Sequence, residues 1–363
     1  MKKIFLFAIR LSVCNLRCHY CYLTKRPTSY EGVIPEMQYS PEQIAYAMRL
    51  DRVGGASYIN LCADGETLLL PDLAEYVRLL AEEGHYLEIV SNMVLTKKLE
   101  PLLELGPDVL SHVEFKCSFH WLELKKRGLL DRFANNVNAA WEAGASCNVE
   151  ITPSDELIPE IDELKAFSME RFGALPHVTI ARDDSTKGID RLTSLTHEEY
   201  IETWGSFGSP FFEFKDRIFG ERRREFCYAG GWSYYVDMAT GDATQCYNST
   251  HVCNVFANPD EPLPELPIGR CPLAHCYNGH MLATSGLLPD LDLGYRYGDI
   301  RDRERTDGTH WLQPELKSFF NTRVCDNNEE LTATAKVAAV ARTDAARAVS
   351  GLARRAKGLV HRD

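Results

Sequence analysis

The chain has 363 residues, 45% of them hydrophobic, and no uninterrupted apolar run approaching the ~18 residues of a membrane helix, so one large or two ordinary globular domains are expected. A formal charge of -12 opposes non-specific binding to a phosphate backbone, which excludes nucleic acid as an expected partner. Twelve cysteines in a chain this long do not resemble a small secreted disulfide scaffold; they are expected to be metal ligands or core residues in a reducing, cytoplasmic setting.

Met1-Lys2-Lys3 followed by an apolar run imitates the start of a signal peptide, but Arg10 interrupts the run, and a buried first strand over Ile4 to Ile9 is the better reading. The loop Cys14-Asn15-Leu16-Arg17-Cys18-His19-Tyr20-Cys21 follows it directly. Ser40-Pro41 opens a helix to about Arg52, ended by Gly54-Gly55. A second strand runs from about Ser57 to Cys62, Pro71-Asp72 opens a helix to about Glu83, and Tyr86 to Val90 is a third strand. Three more strands are expected near Val109 to Cys117, Ser146 to Ile151 and His177 to Ala181, separated by helical stretches at Leu129 to Ala143 and Leu157 to Phe172. Repeated βα units of this kind predict an α/β fold with a parallel sheet, a partial (β/α)6 TIM-like barrel whose site lies at the C-terminal strand ends.

Three thiolates close together on one loop suit a 4Fe-4S cube, each taking a different iron, and their number leaves the fourth iron without a protein donor. A zinc loop with His19 as fourth donor is the alternative, although no second ligand pair occurs nearby. The CxxxCxxC spacing, with Tyr20 before the last cysteine and a short strand ahead of it, resembles the signature of the radical S-adenosylmethionine (SAM) superfamily. That resemblance implies that Cys14, Cys18 and Cys21 bind a cluster whose open iron is chelated by SAM. It implies further that one electron cleaves SAM to a 5'-deoxyadenosyl radical, which takes a hydrogen atom from the substrate. Ala63-Asp64-Gly65-Glu66-Thr67 is similar to the family's Gly-Gly-Glu loop, which holds the SAM ammonium, with Asp64 in place of the first glycine. Ser91-Asn92, at the end of the third strand, stands where the family places groups that reach the SAM ribose or carboxylate, and Tyr20 where an aromatic packs near the adenine.

Strand alternation adds candidates of its own. Glu114, Lys116 and Ser118 share one face of their strand, as do Ser146, Asn148 and Glu150 on the next, so these polar faces should line the barrel while Cys117 and Cys147 pack under the helices. Lys116, Ser118, His120, Asn148, Glu150 and Arg182 are the candidate substrate contacts, and a structural pairing of Lys116 with Glu150 is equally plausible. Cys62 shares a face with Tyr58 and Asn60 and is expected to face the cavity.

Beyond Ala181 the alternation is lost. Cys227, Gly241 and Cys246 form a Cx13Gx4C pattern, with a strand from Trp232 to Val236 and a hairpin turn at Thr240-Gly241-Asp242; Cys253, a proline-rich connection and Cys271-Pro-Leu-Ala-His-Cys276 follow. This resembles the SPASM module of the same superfamily or its shortened form, Twitch. The resemblance implies one auxiliary 4Fe-4S cluster on Cys227, Cys246, Cys271 and Cys276, with Cys253 as a substitute and a zinc knuckle as the alternative. The expected organisation is a radical SAM core over 1–185, a connecting segment over 186–226, an auxiliary-cluster domain over 227–300 and an extension over 301–363. The extension ends in a basic helical tail, which leaves room for peripheral membrane contact but is more often a solvated end.

The family implies an oxidoreductase or epimerase that needs an electron donor such as flavodoxin or ferredoxin. Because thirteen residues precede Cys14, too few for the recognition domain of many peptide-modifying members, a carbohydrate or aminocyclitol-like small molecule is expected ahead of a peptide. In an oxidation Glu150 or His120 would accept the proton; in an epimerisation Cys62, Cys253 or Cys325 would return a hydrogen atom. A non-catalytic metal-binding scaffold is the alternative of another class.

Overall fold

A computed structural model describes residues 2–21, 32–183, 190–247, 250–291 and 293–360, side chains of 350–360 excepted. Six strands stand in chain order, each parallel to the next: β1 (Ile4–Ile9), β2 (Tyr58–Ala63), β3 (Tyr86–Ser91), β4 (Val113–Ser118), β5 (Ser146–Ile151) and β6 (His177–Val178). The α/β partial barrel expected from the sequence is therefore present. Helices such as Leu73–Glu82, Leu130–Glu142 and Ile161–Phe172 connect the strands, and they bury one apolar stripe each against the sheet. Each Phe or Leu removed from water there contributes roughly 1.5–3 kcal/mol.

Local signals explain some element ends. Ser40 accepts from the Gln43 amide while the Gln43 side chain answers to the Ser40 N–H, which starts the helix Pro41–Ala47. The single helix expected to reach Arg52 is instead two, Pro41–Ala47 and Leu50–Val53. β6 is only two residues long; the Val178 amide donates to Ser209 Oγ, and the His177 ring meets Ser209 Oγ and the Arg301 carbonyl.

Two short strands, β7 (Arg182–Asp183) and β8 (Asp190–Arg191), form a separate antiparallel pair, and the boundary expected at 185/186 lies outside the described residues. β9 (Ser233–Asp237), β10 (Asp242–Thr244) and β11 (His251–Asn254) form the expected hairpin and its continuation. They do not stand apart: β9 pairs in parallel with β1, Phe5 opposite Tyr234 and Phe7 opposite Val236, giving one nine-stranded sheet in the order β11-β10-β9-β1-β2-β3-β4-β5-β6. No helix among the described residues is long and apolar enough to cross a membrane.

The floor of the barrel is closed by charge. Arg301, fully buried, reaches Glu150 at 3.0 Å, Glu114 at 3.0 Å and Glu88 at 3.4 Å, and the Tyr297 hydroxyl donates to Glu88 at 3.0 Å. Glu88 and Glu114 are register partners on β3 and β4, so their carboxylates must share a cation placed between them.

Candidate active site

The C-terminal ends of β1 to β6 open onto a cavity of about 580 Å³. Tyr20, Cys21 and Cys276 line it, together with Cys62, Asp64 and Lys116 from the strand ends.

The cysteine loop is fixed from three directions. Glu123 accepts from the Arg17 amide at 3.0 Å, Arg127 donates to the Asn15 carbonyl at 3.1 Å, and the Asn92 side-chain amide donates to Asn15 Oδ1 at 2.8 Å. Burial and the mutual repulsion of Cys14, Cys18 and Cys21 push the Cys14 thiol up to about 11 and the Cys18 thiol higher still. Thiols held up in this way, as at Cys14 and Cys18, resist becoming thiolates unless cations arrive to share their charge, which is the donor chemistry an iron cluster requires. His19 is turned away to Ser154 at 3.2 Å and Glu156 at 3.0 Å, against a zinc loop that includes it.

Gly65 lets the β2 loop pass directly against this segment. A Cβ at Gly65 would lie 2.0 Å from the Val13 carbonyl oxygen, and the Glu66 amide donates to that same oxygen at 2.9 Å. The Glu66 carboxylate is buried and braces β3: it accepts from Ser91 Oγ at 2.7 Å, the Asn92 amide at 2.8 Å and the Leu68 amide at 3.1 Å. Of its roughly four acceptor positions one is left for an outside donor. Asp64 faces Arg10 at 3.6 Å, and Arg10 also meets Asp237 on β9 at 3.5 Å, tying the added strand to the site.

The candidate substrate residues separate into groups. Lys116 lines the cavity and pairs with Glu150 at 3.4 Å, the pairing anticipated from alternation. Burial pushes Glu150 upward, but Lys116, Lys215 and Arg301 outweigh it and hold its carboxylate below the ordinary value, which makes it a poor proton acceptor. His120 is not among the cavity-lining residues; it meets the Tyr20 hydroxyl through Nδ1 at 2.7 Å, and burial lowers it to about 4, so it is neutral. Asn148 donates to the Arg301 carbonyl and belongs to the barrel floor, and Ser118 likewise lies outside the lining, whereas Arg182 is part of it. Cys117 and Cys147 are fully buried in the core.

Cys62 does reach the cavity, and burial raises its thiol to about 11. Neither other free-thiol candidate does. Cys253 sits on β11 near Arg52, and Cys325 lies beside Asp326 in the extension. Cys227, Cys246, Cys271 and Cys276 are near enough to act on one another electrostatically, and the first, second and fourth are driven up by burial. Cys253 feels none of them, so it is a poor substitute ligand. Among the described residues no three His, Cys, Asp or Glu groups converge tightly enough for a single metal ion. A cube, in which each thiolate meets a different iron, tolerates wider spacing than one tetrahedral zinc.

Sequence reasoning missed Arg301, Glu88, Lys215, His275 and His280. Glu88 was readable, since it alternates with the apolar residues of β3, but Arg301 and Lys215 come from segments without periodicity that pointed to the barrel.

The fold and the site together define a parallel α/β barrel core built around a cysteine loop. The family model described as Radical SAM superfamily matches residues 9–113, the stretch that holds the cysteine loop and the first three strands. Neomycin C epimerase of Streptomyces fradiae is 28% identical over 165 residues, 42% of this chain and 48% of that protein; the chain thus aligns with about half the length of this curated relative. Streptococcus suis SuiB bound to S-adenosylmethionine is 18% identical with a TM-score of 0.46, covering 70% of this chain and 64% of that one. Native anSMEcpe with bound AdoMet is 14% identical with a TM-score of 0.48, over 70% and 78% of the two chains.

Proposed function

We propose that this protein is a radical SAM epimerase acting on a carbohydrate-like small molecule, with Cys62 as the hydrogen-atom donor. When bound, the cluster on Cys14, Cys18 and Cys21 and its SAM supply the 5'-deoxyadenosyl radical that removes a hydrogen atom from a substrate carbon. Tyr20, Asp64, Gly65, Glu66, Ser91 and Asn92 are assigned to SAM; Tyr20 and Asp64 line the cavity, and Gly65, Glu66, Ser91 and Asn92 lie behind its wall and hold the loops that face it.

The observation that carries the reading is the position and state of Cys62. Among the described residues it is the one cysteine lining the cavity outside the two clustered groups, and burial keeps it as S–H. A hydrogen-atom donor must hold that hydrogen, which a thiolate does not. The S–H bond breaks as a new C–H bond forms on the opposite face of the substrate carbon, leaving a thiyl at Cys62. One proton and one electron restore it, the electron from a flavodoxin- or ferredoxin-type donor. Oxidation of the substrate has less support, because Glu150 is held ionised by three cations and His120 stands behind Tyr20. The epimerase relative agrees with this preference. The proposed auxiliary cluster on Cys227, Cys246, Cys271 and Cys276 would serve the same cavity, since Cys276 lines it.

The test is turnover in deuterium oxide with dithionite and SAM. Wild type should form 5'-deoxyadenosine and place one solvent deuterium in an isomeric product. Cys62→Ala should still form 5'-deoxyadenosine but yield no deuterated epimer. A product lighter by two hydrogens would establish oxidation instead, and a modified peptide the maturase alternative. Absence of 5'-deoxyadenosine under every reductant would favour a scaffold.

A further inference from the structure

Lys215 projects from the helix Pro210–Ile218 into the cavity next to Thr179, to whose hydroxyl it donates. Among the described residues it has no carboxylate within ion-pair distance. The nearest candidate, Glu150, is already engaged by Lys116 at 3.4 Å and Arg301 at 3.0 Å. Burial, together with Lys116, Arg182 and Arg301 and against the pull of Glu150, lowers the ammonium to about 7, so an anion bound beside it would favour the charged form. Lys116 and Arg182 open on the same cavity, and the neutral imidazole of His280 adds a polar group without adding negative charge. Of the two carboxylates among the lining residues, Asp64 is answered by Arg10, and Glu88 by Arg301 and the Tyr297 hydroxyl.

We infer that the substrate carries an oxyanion, a carboxylate or phosphate, which Lys215 binds at the wall of the cavity formed by the Pro210–Ile218 helix. This rests on the cavity being the substrate site, and it narrows the substrate class from carbohydrates in general to acidic ones, away from amino-bearing rings. An ammonium pairs with an oxyanion by charge-assisted hydrogen bonds, whereas a protonated amine brought to the same wall adds like charge.

Calorimetric titration of anaerobically reconstituted, SAM-saturated protein with glucuronate, glucose 6-phosphate, glucose and glucosamine tests this. One or both anionic sugars should bind at least about tenfold more tightly than glucose, and glucosamine no better than glucose. The stronger of the two anions tells carboxylate from phosphate. Lys215→Met should reduce the anion to the affinity of glucose, while Lys215→Arg should keep most of the preference and SAM affinity should be unchanged in both. The inference is overturned if glucosamine matches the anions, if none of the four binds, or if Lys215→Met leaves the preference intact. A loss of SAM affinity in Lys215→Met would overturn it too, since Lys215 would then serve SAM. Failure of the wild type to form 5'-deoxyadenosine would instead remove the underlying assignment of the cavity.

Discussion

Gly65 shows how much of the site depends on a single missing side chain. A methyl group there would meet the Val13 carbonyl at 2.0 Å and Leu11 O at 2.9 Å, both of them backbone atoms in the run leading to Cys14. Neither rotates away, so Gly65→Ala must displace either the loop over 64–66 or the cysteine loop, at a cost on the order of 3 kcal/mol. Iron bound after anaerobic reconstitution should drop, and the melting temperature with it. Unchanged iron content would mean the two loops can separate freely. Glu114 allows a second test at this scale. Burial raises its carboxyl to about 7 against the pull of Arg301, above the ordinary value of 4.5 it regains on unfolding. The folded state therefore holds a proton that the unfolded chain releases, and this stabilisation, present in full below about pH 4.5, is lost as pH rises through 7. Wild type should lose stability relative to Glu114→Gln by on the order of 2 kcal/mol between pH 5 and 8, read from urea unfolding at several pH values.

At the scale of elements, strands were more legible than their connections. Alternation over Val113 to Ser118 and Ser146 to Ile151 predicted both the burial of Cys117 and Cys147 and the Lys116–Glu150 pair, because the period of two is a local property of a pleated strand. The capping signals Ser209-Pro210 and Thr196 to Glu199 were present ahead of the helices Pro210–Ile218 and His197–Gly205. What no local signal revealed was that these helices and the Tyr297–Arg301 turn bring Lys215 and Arg301 back to the barrel, since long-range docking leaves no period in the chain. The same reason hid the parallel pairing of β9 with β1. Arg301 then determines whether β3, β4 and β5 tolerate their inward carboxylates. Arg301→Met should destabilise by about 3–5 kcal/mol, because it strands Glu88, Glu114 and Glu150 in the interior. Arg301→Lys should recover part of this, and denaturant midpoints at fixed pH measure both. A loss below about 1 kcal/mol for Arg301→Met would mean that water or protonation already compensates the carboxylates.

Across the whole molecule, two cysteine groups far apart in the chain come to one cavity, which Cys21 and Cys276 both line. The continuous sheet makes this possible: β9 lies against β1, the strand that leads into Cys14, and Cys246 follows the hairpin that β9 begins. If both groups hold cubes, the site has one centre for making the radical and a second within the same enclosure for taking or supplying an electron. Metal content separates that arrangement from a structural zinc. Reconstituted wild type should hold about eight irons per chain. Replacing Cys227, Cys246, Cys271 and Cys276 by Ala should remove about four of them and leave 5'-deoxyadenosine formation detectable, because the Cys14, Cys18 and Cys21 loop is anchored by Glu123, Arg127 and Asn92 and not by the second group. Replacing Cys14, Cys18 and Cys21 should leave about four irons and abolish 5'-deoxyadenosine. About four irons with one zinc in the wild type would make the second group a structural knuckle, and the electron that restores Cys62 would then have to enter through the first centre alone.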